Sequence, residues 1–273
     1  MKLNRRQRVL IGLGVSLLFL AVVCAAGLLS KEAAMATDFS RKNMAPCVKY
    51  IFGTDWLGRD MLARTLTGLS LSILIGLLAA AVSAALALVL GIASATMGKA
   101  VDAAITFCID LAMGVPHILL LLLISVALGK GLRGVIVGVA LTHWPSLARL
   151  IRAEVIQLKE SPYIQIAEKL GKSKWYIARK HLLPHLLPQF VVGLVLLFPH
   201  AILHESSITF LGFGLSTEQP AIGIVLSEAM KYLVTGKWWL ALFPGLLLVI
   251  VVTLFYVAGE SLQKLMNPGS VHE

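Results

Sequence analysis

Charge is what this chain has least of: only 14% of its 273 residues are Asp, Glu, Lys or Arg. A water-soluble domain carries about a quarter. With a mean hydropathy of +0.86, that scarcity excludes an ordinary soluble enzyme. Cysteine is nearly absent too. Cys24, Cys47 and Cys108 have no close spacing, which excludes a disulfide framework and a cysteine zinc site. The phosphate-loop pattern G-x-x-x-x-G-K-[ST] does not occur, so the chain lacks that cradle for hydrolysing ATP. Acids are the minority among the charges, 14 against 24 basic residues, for a formal net charge of +10.

What the chain has instead is long apolar runs. A helix needs about 20 apolar residues to cross about 30 Å of hydrocarbon. Val9–Leu29, Leu69–Met97, Val101–Leu128, Gly134–Leu150, Leu186–Leu215 and Leu240–Leu262 predict six spans, hence an all-α polytopic membrane protein. The first run has an apolar core of about 20 residues, longer than the roughly 7–15 of a cleaved signal peptide, and is read as a retained span. This divides the chain into an N-terminal helix and external loop (1–68), a transmembrane domain (69–262) and a C-terminal tail (263–273).

Basic residues set the orientation. Lys2, Arg5, Arg6 and Arg8 precede the first span without an acid among them, which predicts a cytoplasmic N-terminus and, after six spans, a cytoplasmic C-terminus. The segment 149–185 then also lies in the cytoplasm, with eight Lys/Arg against three Glu. The positive charge is therefore a topology signal. The partner it implies is a lipid bilayer, not a nucleic acid.

That segment, "RAEVIQLKESPYIQIAEKLGKSKWYIARKHLLPHLLP", has internal pattern. Leu150, Ile151, Val155 and Leu158 continue the fourth span as an amphipathic helix. Ser161-Pro162 then supplies a favoured cap and a favoured first helical residue. A short helix Tyr163–Leu170 ends at Gly171, suited to a left-handed terminus. A second, Lys174–Leu183, meets Pro184. Loops this long and this patterned usually carry function, here a docking element.

These residues resemble the coupling loop of permease subunits of bacterial ABC importers, whose signature reads E-A-A, three residues, glycine, and a later Leu-Pro. Gln165-Ile166-Ala167, Gly171 and Leu183-Pro184 align with it, departing at the first two positions. "FGTDWLGRDMLARTLTGLSLSILIG" resembles the entry to the second span in the dipeptide, oligopeptide and nickel branch of that family. "HESSITFLGFG" and "WLALFPGLLLVIVVTLFYVAGESLQKLMNP" resemble its later helices, so the likeness runs from about Phe52 to Pro268. It implies a type I importer in the bacterial inner membrane: a second permease completes the pathway, two cytoplasmic ATPases dock on the coupling loops, and an external binding protein delivers cargo. Tyr163, Gln165, Ala167, Gly171, Leu183 and Pro184 would carry the ATPase contact.

The run "LLFPHAILHESSITFLGFG" places His200 and His204 at i and i+4, on one helix face. That spacing suits two imidazoles around one nickel, copper or zinc ion, and Pro199 frees a backbone carbonyl nearby. The competing reading is two histidines hydrogen-bonded to neighbouring helices. Glu205 begins "HE" as in a zinc protease, but Ile208 stands where the second histidine should be. His200, His204 and His143, in "LTHWPSLARLIR", resemble the nickel permease subunit, whereas an acid at Glu205 is common in peptide permeases. The expected cargo is nickel or a nickel chelate, with di- or oligopeptide as the alternative. Nickel would pass as transient substrate, with no resident cofactor.

Met113 is a possible soft contact on the path, His117 a weaker one, and Asp102 and Asp110 face either water or a partner. "GTDWLGRD" reads as a local ion-pair turn more readily than as a phosphate or metal cradle. "KGLRG" reads as a tight turn.

Overall fold

The computed structural model describes residues 4–266. Lys2, Pro268 and the tail from 267 onward lie outside the described residues. Among the described residues the regular elements are helices, beside one isolated bridge between Thr54 and Asp60. In chain order they are α1 (Arg5–Leu29), α2 (Lys31–Met35), α3 (Met61–Thr96), α4 (Lys99–Gly114), α5 (His117–Ala127), α6 (Leu132–Lys159), α7 (Pro162–Lys169), α8 (Lys174–Ile177), α9 (Leu183–Phe210), α10 (Ile222–Leu233) and α11 (Trp239–Met266).

Five helical stretches are long and apolar enough to cross a membrane: α1, α3, α6, the run from α8 through α9, and α11. The sixth expected span, Val101–Leu128, is broken. Its two halves, α4 and α5, meet at 101°. Val115 is extended there, with φ −93° and ψ 138°, the conformation that a following proline favours. Pro116 then offers no N–H to continue the ladder.

A second difference lies at Pro184. The helix begun at Lys174 does not stop; it passes through a π turn, Ala178–Leu182, straight into α9. The wider turn has already shifted the hydrogen-bond register, so the missing proline N–H is absorbed. The helix starting at Met61 likewise runs through the domain boundary drawn at residue 68.

Close approach of helices rests on small residues, as lipid gives apolar helices no hydrophobic reason to associate. Gly91 of α3 lies against α6; a Cβ there would stand 2.9 Å from both the Ala148 carbonyl oxygen and the Ile151 side chain. Gly76 meets Phe198 of α9, and Gly223 of α10 meets the Ser206 carbonyl. One core joins α1, α3, α9, α10 and α11 with Leu121 of α5 and Val135 and Val139 of α6, and a second fills the far end of α3 with α4, α6, α7 and the start of α9.

Each end also carries charge pairs. The "GTDWLGRD" turn is the expected ion-pair turn, but larger. Asp55 accepts from Arg59 Nε and Arg64 Nη1, both at 2.7 Å, and Glu228 of α10 accepts from Arg64 Nη2 at 2.9 Å. Asp60 caps α3 by accepting from the Leu62 and Ala63 amides. At the opposite end Asp102 takes a two-pronged contact from Arg152 of α6, 2.6 Å on each side, and Asp110 pairs with Arg149 at 2.7 Å.

Candidate cargo site and coupling element

The break between α4 and α5 places His117 in the first turn of α5, facing α6 and α9. Three imidazoles gather there. His117 and His143 have ring centroids 4.4 Å apart, His117 and His204 4.4 Å, and His143 and His204 5.0 Å. One ring nitrogen from each lies within 4.8 Å of the others.

The backbone orients two of these rings. His143 Nδ1 lies 2.9 Å from the Val139 carbonyl, so it donates there and leaves Nε2 with its lone pair, 3.3 Å from His204 Nδ1. His204 Nδ1 in turn lies 2.8 Å from the His200 carbonyl, as its donor. Fixing one ring nitrogen by a carbonyl is how a metal-binding imidazole is held in one tautomer. His117 Nε2 is buried and has no hydrogen-bond partner. Ligand nitrogens about 2.1 Å from one ion stand roughly 3–3.4 Å from each other. The set, spread over up to 4.8 Å, therefore needs a contraction of up to about 1.4–1.8 Å to close on an ion, by ring rotation together with a small helix shift.

The three rings form one wall of a cavity of about 410 Å³, also lined by Thr142, Ser146, Leu147, Leu150, Leu197 and His200. That volume falls in the range of small-molecule sites. His200 is exposed on the cavity wall, outside the tight triplet. His117, the weaker candidate by sequence, takes the place beside His204 that the i, i+4 pairing gave to His200. Glu205 points elsewhere: fully buried, it accepts from Ser206 Oγ at 3.2 Å and Thr209 Oγ1 at 3.0 Å. Met113, on the other limb of the bend, is exposed, and neither it nor Glu205 lines the cavity.

The candidate coupling element hangs between α6 and α9. On α7, Ile164 and Ala167 turn inward against Ile177 and Leu182, whereas Tyr163, Ile166 and Leu170 are exposed on the opposite face. Gln165 Nε2 donates to the Glu160 carbonyl, steadying the entry to α7. Gly171 has φ +74°, the left-handed conformation its place predicts, and the Lys172 amide reaches back to the Ala167 carbonyl at 3.1 Å. Of the signature residues, Ala167 thus packs the element, Gly171 turns it, and Leu183-Pro184 carries it into α9.

Long apolar helices, a short helical element slung between two of them, and an open histidine-lined cavity among the helices are the parts of a membrane permease. Residues 87–271 match the family of binding-protein-dependent transport system inner membrane components, and the chain belongs to that family. It is 30% identical to the dipeptide transport system permease protein DppC of Bacillus subtilis over 98% of this chain and 83% of that protein. It is 33% identical to a putative peptide transport system permease protein of Brucella suis, over 98% and 90%. It is 29% identical to the probable D,D-dipeptide transport system permease protein DdpC of Escherichia coli, over 85% and 78%. All three relatives are named for peptide transport.

Proposed function

We propose that this chain forms half of the passage of an ATP-driven importer whose cargo carries a transition metal ion, with nickel or a nickel chelate the case its sequence resembles. The observation behind the metal is the triplet His117, His143 and His204, with one orphaned nitrogen and two rings held by carbonyls. Imidazole ligands suit nickel, copper and zinc.

A di- or oligopeptide cargo is the second reading. The relatives' names support it more directly than they support a metal, and the cavity has room for a small peptide. In either case a second permease would complete the pathway, two ATPases would dock on the exposed face of α7, and an external binding protein would deliver the cargo. The basic residues at the start of α1 support a cytoplasmic N-terminus, with the coupling element on the same side.

Alanine replacements of His117, His143, His200 and His204, alone and combined, separate the readings. Uptake of radioactive nickel and of a labelled dipeptide is measured with the assembled importer. For a metal cargo, nickel uptake falls at least about tenfold in each triplet variant. Combinations are little worse, because ligands of one site act together. His200→Ala has the smaller effect. Unmodified importer that carries the dipeptide and ignores nickel gives the case to the peptide reading. Nickel uptake surviving the triple alanine leaves the histidines as helix–helix contacts.

A further inference from the structure

One groove on the molecule belongs neither to the cargo cavity nor to the docking face of α7. It has a volume of about 690 Å³ and runs between the last turns of α3 and the chain from α8 into the π turn. Leu88, Val89 and Ile92 give it an apolar floor, and Lys174, Trp175 and Arg179 stand at its edge. No acid lines it. Lys174 and Arg179 form no salt bridge among the described residues, and Trp175 is 75% exposed. The acids of the adjoining polar cavity, Asp102 and Glu168, lie beyond Lys174, and Asp102 is taken up by Arg152.

The depth of this groove in the bundle can be fixed. Gly91 packs on Ala148 and Ile151 of α6, the stretch where α6 acquires Arg149 and Arg152. The floor therefore crosses the level at which the bundle passes from apolar to charged. An exposed tryptophan at that level fits the lipid headgroup zone. Two unpaired cations above an apolar floor complement an anionic head on acyl chains, and basic pockets between spanning helices recruit such lipids. A protein occupant of the groove would have to displace bilayer at its apolar end. α7, whose exposed face is the docking surface, contributes no residue to the lining.

We infer that this groove is a binding site for a glycerophospholipid with an anionic headgroup, its head held by Lys174 and Arg179 and its chains along Leu88, Val89 and Ile92. The lipid would wedge α3 against the coupling element from outside.

The test reads Trp175 in the assembled importer, in nanodiscs containing brominated phosphatidylglycerol or brominated phosphatidylcholine. The chain has five tryptophans, so the signal of Trp175 is the difference from a Trp175→Phe variant. Quenching by phosphatidylglycerol should saturate at a much lower lipid fraction than quenching by phosphatidylcholine. Each surface cation contributes about a fivefold preference, so Lys174→Gln with Arg179→Gln should remove roughly 25-fold of the selectivity. Lys174→Arg with Arg179→Lys should keep it. Both positions are exposed, so folding is not at stake, and unchanged quenching of the other tryptophans confirms the bundle. Equal quenching by the two lipids, or selectivity that survives the double glutamine, overturns the site. So does a Trp175 that no lipid quenches, which would mean that a protein chain covers the groove.

Discussion

Replacing Arg64 by methionine tests whether the cluster around Asp55 latches the loop before α3 to α10. Arg64 is almost fully buried, with one guanidinium nitrogen 2.7 Å from Asp55 and another 2.9 Å from Glu228. Removing one member of a buried charge set costs about 3–5 kcal/mol, because the partner's charge stays behind. Two features pull the cost to the low end. Arg59 already touches both acids, at 2.7 and 3.4 Å, and Asp55 also accepts from the Leu57 and Arg59 amides at 2.9 Å. A loss of about 3 kcal/mol follows. At about 2–4 °C per kcal/mol for chains of this size, the purified chain in mild detergent should lose on the order of 6–12 °C in Tm, read by tryptophan fluorescence. Adding Glu228→Met removes the stranded acid and should recover a large part of the loss. A shift below about 2 °C, or a double variant worse than the sum of the singles, would refute the latch.

Gly171→Val forces a β-branched residue into the left-handed region, at about 1–3 kcal/mol of backbone strain. Open space surrounds that position, so no clash adds to the strain; the chain should still insert, with a Tm lower by roughly 2–12 °C, while ATP-driven uptake by the assembled importer is lost; normal uptake would disconnect α7 from coupling. Gly91→Ala should lower Tm by several degrees, because its Cβ meets the Ala148 carbonyl and Ile151 at 2.9 Å, whereas Gly14→Ala, with nothing within 4 Å, should leave Tm unchanged or raise it. Equal shifts at the two glycines would mean that α3 and α6 are not in close contact at Gly91.

How far sequence carried the fold depended on whether the deciding contact was local. The spans were legible because hydrocarbon thickness sets a length that composition alone reports. The turn at Gly171 was legible because a helix terminus calls for one residue type. At Pro116 the signal was present, in Gly-Val-Pro, but an apolar count passes over a bend that keeps both halves apolar. Leu183-Pro184 misled in the other direction, since the π turn that absorbs the proline leaves no mark in hydropathy. The ion pair between Asp55 and Arg59, four residues apart, could be read directly. Its completion by Glu228, 164 residues beyond Arg64, could not. His204 was named by its spacing from His200 and His143 by resemblance, but their meeting with His117 depends on the α4–α5 bend and was invisible from spacing.

The placement of the histidines ties the proposed cargo site to the proposed coupling element. His143 sits on α6 and His204 on α9, and these are the two helices between which α7 and α8 are slung. Lys159, where α6 hands over to α7, is 16 residues past His143, about 24 Å along a straight helix. Any axial force on α7 therefore reaches α6 and α9 from opposite ends of the same loop and tends to slide one against the other. Helix shifts in switching proteins run to about 1–2 Å, while metal–ligand distances tolerate only about 0.2 Å. Under the metal reading, a slide of that size alone carries the His143 and His204 rings, now 5.0 Å apart between centroids, past what one ion can bridge. Holding and releasing cargo then need no dedicated gate at the histidines. They need α6 and α9 to stay straight between the site and the loop, while the π turn at Ala178–Leu182 takes up the strain where the loop joins α9.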